Sequence, residues 1–201
     1  MDTSTEPKIE KKQSLIREVI KYALFALVVV LPIRTWIAQP FVVSGGSMDN
    51  TFKDGQYLIV DEISYRFKDP ERGDVLIFKY PEDTSKYFIK RLIGLPGEKV
   101  IVSNDSVVVM NESYPKGIAL TENYTGSRTL GNTNVTLGEG EYFVMGDNRL
   151  VSLDSRVWGV LPKEDIIGRP VLRLLPVSQI GTFPGAVASS SMTAVPESDN
   201  N

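Results

Sequence analysis

Three short stretches carry residues whose types and spacing suit chemistry. In FVVSGGSMDNTF, residues 41–52, Ser47 directly follows Gly45 and Gly46. Glycines let a backbone turn tightly and present a serine hydroxyl as a nucleophile. In KYFIKRLIG, residues 86–94, Lys90 sits between apolar neighbours. In MGDNRLVSLDSRVWG, residues 145–159, a run of ten positions holds Asp147, Arg149, Ser152, Asp154, Ser155 and Arg156. A serine nucleophile needs a base, most often histidine. The chain contains no histidine and no cysteine. That excludes Ser-His-Asp and Cys-His catalysis, disulfides and the usual zinc sites. Either Ser47 is an ordinary loop serine, or a Lys, Asp, Glu or Tyr takes its proton.

A lysine base is the most demanding of these options. With an ordinary pKa near 10.4, only about one lysine in 2,500 is neutral at pH 7. Lowering that value to about 8 implies a differential cost of roughly 3 kcal/mol, so the amine must be desolvated or placed beside another cation. Lys90 fits the first condition. Side chains alternate along a strand, so Phe88, Lys90 and Leu92 share one face while Ile89 and Arg91 take the other. The alternative is a surface lysine whose stem covers its apolar neighbours. The 145–159 cluster likewise has two readings. A buried polar loop needs internal pairing, whereas a solvated loop carries surface ion pairs.

The elements that must position these stretches begin with an apolar segment. Residues 1–21 are polar and charged, with Lys8, Lys11, Lys12, Arg17 and Lys21. Residues 22–38, YALFALVVVLPIRTWIA, are apolar apart from Arg34 and Thr35. As a helix this stretch reaches about 25 Å, against a hydrocarbon core of about 30 Å. Trp36 suits an interface and Arg34 can snorkel to the far headgroups. The preceding basic residues predict a cytoplasmic N-terminus and an extracytoplasmic remainder. A core helix and a cleaved signal peptide are the alternatives. Gln39, Pro40 and Phe41 supply no small-x-small cleavage site, which favours an uncleaved signal-anchor at 22–38.

After Pro40 the pattern turns to short strand-like runs: 56–60, 74–78, 86–94, 99–102, 106–110, 141–145 and 170–176. Turn signals separate them, among them Asp54-Gly55, Arg72-Gly73 and Pro96-Gly97. The pattern predicts a mainly β extracytoplasmic domain over 39–176, with one short helical turn after Pro162. Residues 103–140, rich in Asn, Thr, Gly and Ser beyond position 110, read as an inserted β subdomain. The tail, 177–201, is small and polar and reads as disordered. The net charge of −3 offers no basic excess for nucleic acid. No metal or cofactor is expected.

Taken together and in this order, the motifs resemble those of bacterial type I signal peptidases, including the Gram-positive type. The matching stretches are SGGSM (44–48), RGDVLIF (72–78), KRLIGLPGE (90–98) and GDNRLVSLDSRVWG (146–159), with RTWIAQPFVV (34–43) leading in. The resemblance implies a signal-peptidase-like β catalytic core with a small inserted β subdomain, behind one N-terminal transmembrane helix. It implies a Ser-Lys dyad with Ser47 as nucleophile and Lys90 as general base. It gives Ser152 the part of holding the lysine amine, and makes Asp147, Asp154, Arg91 and Arg156 structural ion-pair residues. Val43, Met48, Phe88 and Ile89 are the implied lining of pockets for small side chains. The implied partners are secretory precursor proteins, whose signal peptides would be cut after small-x-small sites, and membrane lipid.

Two positions depart from the family pattern. Gly45 stands where some members carry a serine whose hydroxyl stabilises the oxyanion. Asn50 stands where proline is common; proline would stiffen the turn, so asparagine is expected to hold the nucleophile more loosely. Two other classes compete with this reading. A soluble Ser-Lys autopeptidase of the SOS-repressor type would need a DNA-binding domain before Ser47, for which this chain has no room. A membrane-anchored β scaffold without activity is opposed by intact Ser47 and Lys90.

Overall fold

The computed structural model describes residues 8–32, 38–103 and 105–187. A helix, α1 (Lys8–Pro32), comes first. Among the described residues twelve strands follow: β1 (Ala38–Val42), β2 (Tyr57–Asp61), β3 (Val75–Tyr80), β4 (Asp83–Gly94), β5 (Lys99–Ser103), β6 (Ser106–Asn111), β7 (Tyr114–Ala119), β8 (Thr133–Thr136), β9 (Glu141–Met145), β10 (Leu161–Pro162), β11 (Ile166–Leu175) and β12 (Gly181–Thr182). Two single-turn helices, α2 (Ser64–Phe67) and α3 (Ser155–Trp158), and 3-10 turns at Lys163–Asp165 and Val177–Gln179 complete it. The fold is mainly β, and among the described residues the helical turn after Pro162 is one of four such turns. The others escape a periodicity reading because a single turn shows no repeat.

The larger sheet runs β1-β2-β11-β3-β4-β9-β10, with β12 on β11. The smaller runs β7-β6-β5-β8 and takes in residues 99–136. All of their pairings are antiparallel, with Leu76 opposite Lys90 and Arg91 opposite Met145. Three apolar clusters fix the arrangement. Leu76, Phe78, Leu92, Tyr142, Val144 and Leu161 pack on one another across β3, β4, β9 and β10. Ile93, Phe143 and Met145 meet Val100, Val102, Val107 and Val109, joining the two sheets. Val43, Met48, Phe52, Leu58 and Val75 pack beneath the Ser47 turn. β3 is buried at five of six positions, so it reads as a continuous apolar run rather than an alternation.

Two boundaries bear on these expectations. First, α1 ends at Pro32 and Ala38 opens β1; residues 33–37 of the expected 22–38 anchor lie outside the described ones. Among the described residues no helix is long and apolar enough to cross a membrane. Second, residues 177–187, expected as part of a disordered tail, form a 3-10 turn, a strand on β11 and a segment that packs against the core. Backbone pairing to Leu172 and Arg173 outweighs the small, polar composition there.

Candidate active site

Ser47 lies in the turn that follows β1. Phe52 and Met48, fully buried, pull this turn onto the sheet, and the Thr51 and Phe52 N–H groups both donate to the Met48 carbonyl, at 3.0 and 2.8 Å. The loop after β9 pins it from the other side. Asn148 N–H donates to the Ser47 carbonyl at 3.0 Å, and the Asn148 side-chain amide donates to the Gly46 carbonyl at 3.1 Å. This approach requires glycine at 146. A Cβ there would sit 2.4 Å from the Ser47 carbonyl oxygen and 2.2 Å from Ser152 Oγ.

Lys90 reaches the same turn from β4. Its Nζ lies 2.8 Å from Ser47 Oγ and 2.9 Å from the Ile89 carbonyl oxygen. The residue is 4% exposed, and its amine stands 5.1 Å from the centre of the Phe88 ring. Burial pulls its pKa down from 10.5 to about 8, against the upward pull of Asp154 and Asp147. The alternation read from the sequence therefore puts the amine in an apolar setting at hydrogen-bonding distance from one hydroxyl.

Behind the pair lie buried ions, each internally matched. Arg91 Nε and Nη2 grip Asp147 at 2.8 and 2.6 Å, and the Arg91 guanidinium stacks 4.1 Å from the Tyr124 ring centre. Asp154 accepts from Arg156 Nε and Nη2 at 2.8 and 2.9 Å and from Gly146 N–H at 3.0 Å. Burial alone would raise the Asp154 carboxyl; the Arg156 contacts, the Gly146 N–H and the nearby Ser152 outweigh it and hold it below the usual range. Arg149 pairs with Glu122 at 2.8 and 2.5 Å and donates to Thr129 Oγ1 at 2.7 Å. Of the two readings of 145–159, buried and internally paired is the one observed.

A groove of about 460 Å³ opens beside the pair, and Ser47, Lys90, Phe41, Val43, Phe88 and Ile89 are among its walls. Met48 is not among them. It is fully buried beneath the turn, and its sulfur accepts from Asp147 N–H at 3.4 Å, because the turn directs it inward. Ser152 sits in the same cluster but makes no hydrogen bond to Lys90. Its buried hydroxyl has no bond of good geometry and lies against Gly146 and Asp154. The bonds of the amine go to Ser47 and Ile89 instead. Asn50 adopts φ +90°, a region closed to proline, and its side-chain amide rests on Gly126. Proline does not fit this backbone, so the turn is built for the asparagine it carries.

Several residues of the cluster lay outside the sequence reading. Thr51 bonds Asp147 through its hydroxyl. Glu122, Tyr124 and Thr129 come from the segment between β7 and β8. Asn148 is part of the GDNR motif and was open to notice; nothing local marks the other four. Among the described residues no cluster of three or more carboxylates is placed to hold a metal ion.

The family described as "Signal peptidase, peptidase S26" matches residues 16–175. A probable signal peptidase I-1 of Synechocystis sp. is 39% identical over 179 residues, covering 84% of this chain and 88% of its own. Signal peptidase I of Leptolyngbya laminosa is 38% identical over 182 residues, covering 85% of each. Signal peptidase I P of Bacillus subtilis subsp. natto is 34% identical over 179 residues, covering 86% of this chain and 96% of its own. A crystal structure of a signal peptidase I from Enterococcus faecalis V583 matches 51% of this chain and 97% of its own at 31% identity. Its TM-score of 0.43 adds nothing to the sequence relationship.

Proposed function

Since the chain belongs to the peptidase S26 family of signal peptidases and is a serine protease of the signal peptidase I kind, we propose that it removes signal peptides from secretory precursors by a Ser47–Lys90 dyad. The observation that carries this reading is the buried pair itself, Nζ 2.8 Å from Oγ, with the amine lowered to about 8. Neutral Lys90 accepts the Ser47 proton as Oγ attacks the scissile carbonyl. The developing oxyanion is met by the Ser47 N–H. Gly45 supplies no hydroxyl to it. Protonated Lys90 then hands its proton to the leaving amine. Water, deprotonated in turn by Lys90, opens the acyl-enzyme.

Val43, Phe88 and Ile89 are proposed to form shallow apolar seats for small residues at the first and third positions before the cut, with Met48 as a buttress beneath. Arg91, Asp147, Asp154, Arg156 and Ser152 keep the loops around the dyad rigid. Residues 22–38 are proposed as a signal-anchor that leaves the catalytic domain, 39–176, outside the cell membrane. The helix side chains Leu15, Val19, Leu24, Phe25, Leu27 and Val28 are all exposed, so the other described residues do not cover them. Ala38 and Ser47 are only nine positions apart, at most about 30 Å of chain. The nucleophile would therefore stand near the membrane surface, where a precursor presents the bond just beyond its apolar stretch.

The test is cleavage of a precursor bearing an Ala-x-Ala site, in mild detergent, by wild type, Ser47→Ala and Lys90→Ala. Cutting after that site by wild type alone is the expected result. Cutting by all three, or by none with folded wild type across pH 7 to 10, sinks the dyad reading.

A further inference from the structure

The family match ends at residue 175, yet the chain continues in ordered structure to the back of the nucleophile turn. We propose that residues 181–187 form a positioning strap for that turn, with Gly185 as its key residue. This proposal rests on the dyad reading for what the turn does, though not for the contacts themselves.

β12 lays the strap on β11, and Phe183 N–H donates to the Val171 carbonyl at 2.8 Å. Pro184 and Gly185 then carry the backbone under residues 51 and 52. The Gly185 carbonyl accepts from Arg91 Nη1 at 2.8 Å. That bond completes a full set around the guanidinium. Nε and one Nη2 N–H go to Asp147, the other Nη2 N–H to Thr51 Oγ1 at 3.4 Å, and the two Nη1 N–H groups to the carbonyls of Gly73 and Gly185. Arg91 is 1% exposed, so water cannot replace a missing acceptor. Thr51 in turn bonds Asp147, and its own carbonyl accepts from Arg173 Nη2 at 2.7 Å.

Glycine is required at 185 for two separate reasons. Its φ is +80°, and a Cβ would lie 2.8 Å from the Phe52 ring and 2.9 Å from the Thr51 methyl. Any larger residue pushes the strap off Arg91 or pushes residues 51 and 52 toward Ser47. Thr51 and Phe52 close the same turn that holds Ser47 through the Met48 carbonyl. A displacement there moves Oγ relative to Nζ without touching the substrate groove, in whose walls no strap residue takes part. The strap thus acts on the rate of attack and not on binding.

The full chain in detergent is compared with Gly185→Val, with a chain lacking 181–201, and with a control lacking only 188–201. Cleavage of an Ala-x-Ala precursor gives kcat and KM; hydrogen exchange by mass spectrometry follows the amides of residues 47–52. Gly185→Val and the longer deletion are expected to lower kcat between about tenfold and about a hundredfold with KM changed by less than about twofold. Exchange over 47–52 should quicken while that of β5 and β6 stays put. The control should match wild type. Wild-type kcat in both altered chains overturns the strap, as does faster exchange spread evenly over the protein. If wild type cleaves no precursor, the peptidase reading fails. The strap is then decided by exchange alone: local quickening upholds it, and an unchanged 47–52 overturns it.

Discussion

With Lys90 as the proposed base, this one residue links the pH dependence of activity to part of the stability. The proposed mechanism uses the neutral amine, so kcat/KM should rise with pH through a midpoint near 8, the value burial gives this residue. A pH–rate profile checks this; a midpoint near 6 or above 10 would remove Lys90 as the base. Stability follows the same shift. The folded chain loses the Lys90 proton near 8, whereas the unfolded chain keeps it to about 10.5. Between those values the unfolded state binds more protons, so stability rises with pH; below about 8 the whole penalty, about 3 kcal/mol, is present. Lys90→Met should therefore abolish cleavage while raising the unfolding free energy at pH 7 by about 1–3 kcal/mol, measured by urea titration. Asn50 gives a second residue-level outcome. Asn50→Pro, barred by φ +90°, should lower kcat about tenfold or more, while Asn50→Gly keeps more of it.

At the scale of elements, the segment between β7 and β8 is tied to the loop after β9 by one buried ion pair. Arg149 is 2% exposed, and burial, which would lower its pKa, is outweighed by Glu122, which raises it. Glu122→Ala leaves that charge without its partner and should destabilise the protein by about 3–5 kcal/mol in chemical denaturation. Glu122→Gln, which can still accept a hydrogen bond, should lose less. The smaller sheet is thus more than an appendage. Through Glu122 on Arg149, Tyr124 on Arg91 and Gly126 under Asn50, its β7–β8 segment braces the loop after β9, strand β4 and the Ser47 turn.

For the molecule as a whole, the proposed arrangement is a catalytic β domain held close to a membrane by its N-terminal segment. The full chain should remain in the membrane pellet after alkaline extraction. A chain starting at residue 38 should move to the soluble fraction yet still cut a precursor in detergent. Release of the full chain by alkaline washing would count against the anchor and leave the dyad untouched.

The sequence by itself determined the chemical class through the order of its four motifs, which resemble those of signal peptidases. The absence of histidine and cysteine left Ser47 to another base without saying which, and alternation in KYFIKRLIG put Lys90 with Phe88 and Leu92. It also placed the strands built from dense β-branched and aromatic runs, and turns such as Gly55, Gly73 and Gly97, each with positive φ. It did not find β1, β7, β8, β10 or β12, which are short or interrupted by Pro or polar residues, because their strand state depends on a partner's backbone and not on their own pattern. The motif resemblance had paired Ser47 with Lys90; the tertiary structure put their side chains 2.8 Å apart across 43 positions, and it alone joined Arg91 to Asp147 across 56 and Arg91 to Gly185 across 94. Which groups meet over such separations is set by strand pairing and by the need of every buried ion for partners. Neither leaves a local trace, so the part played by residues 181–187 became visible only once the chain was folded.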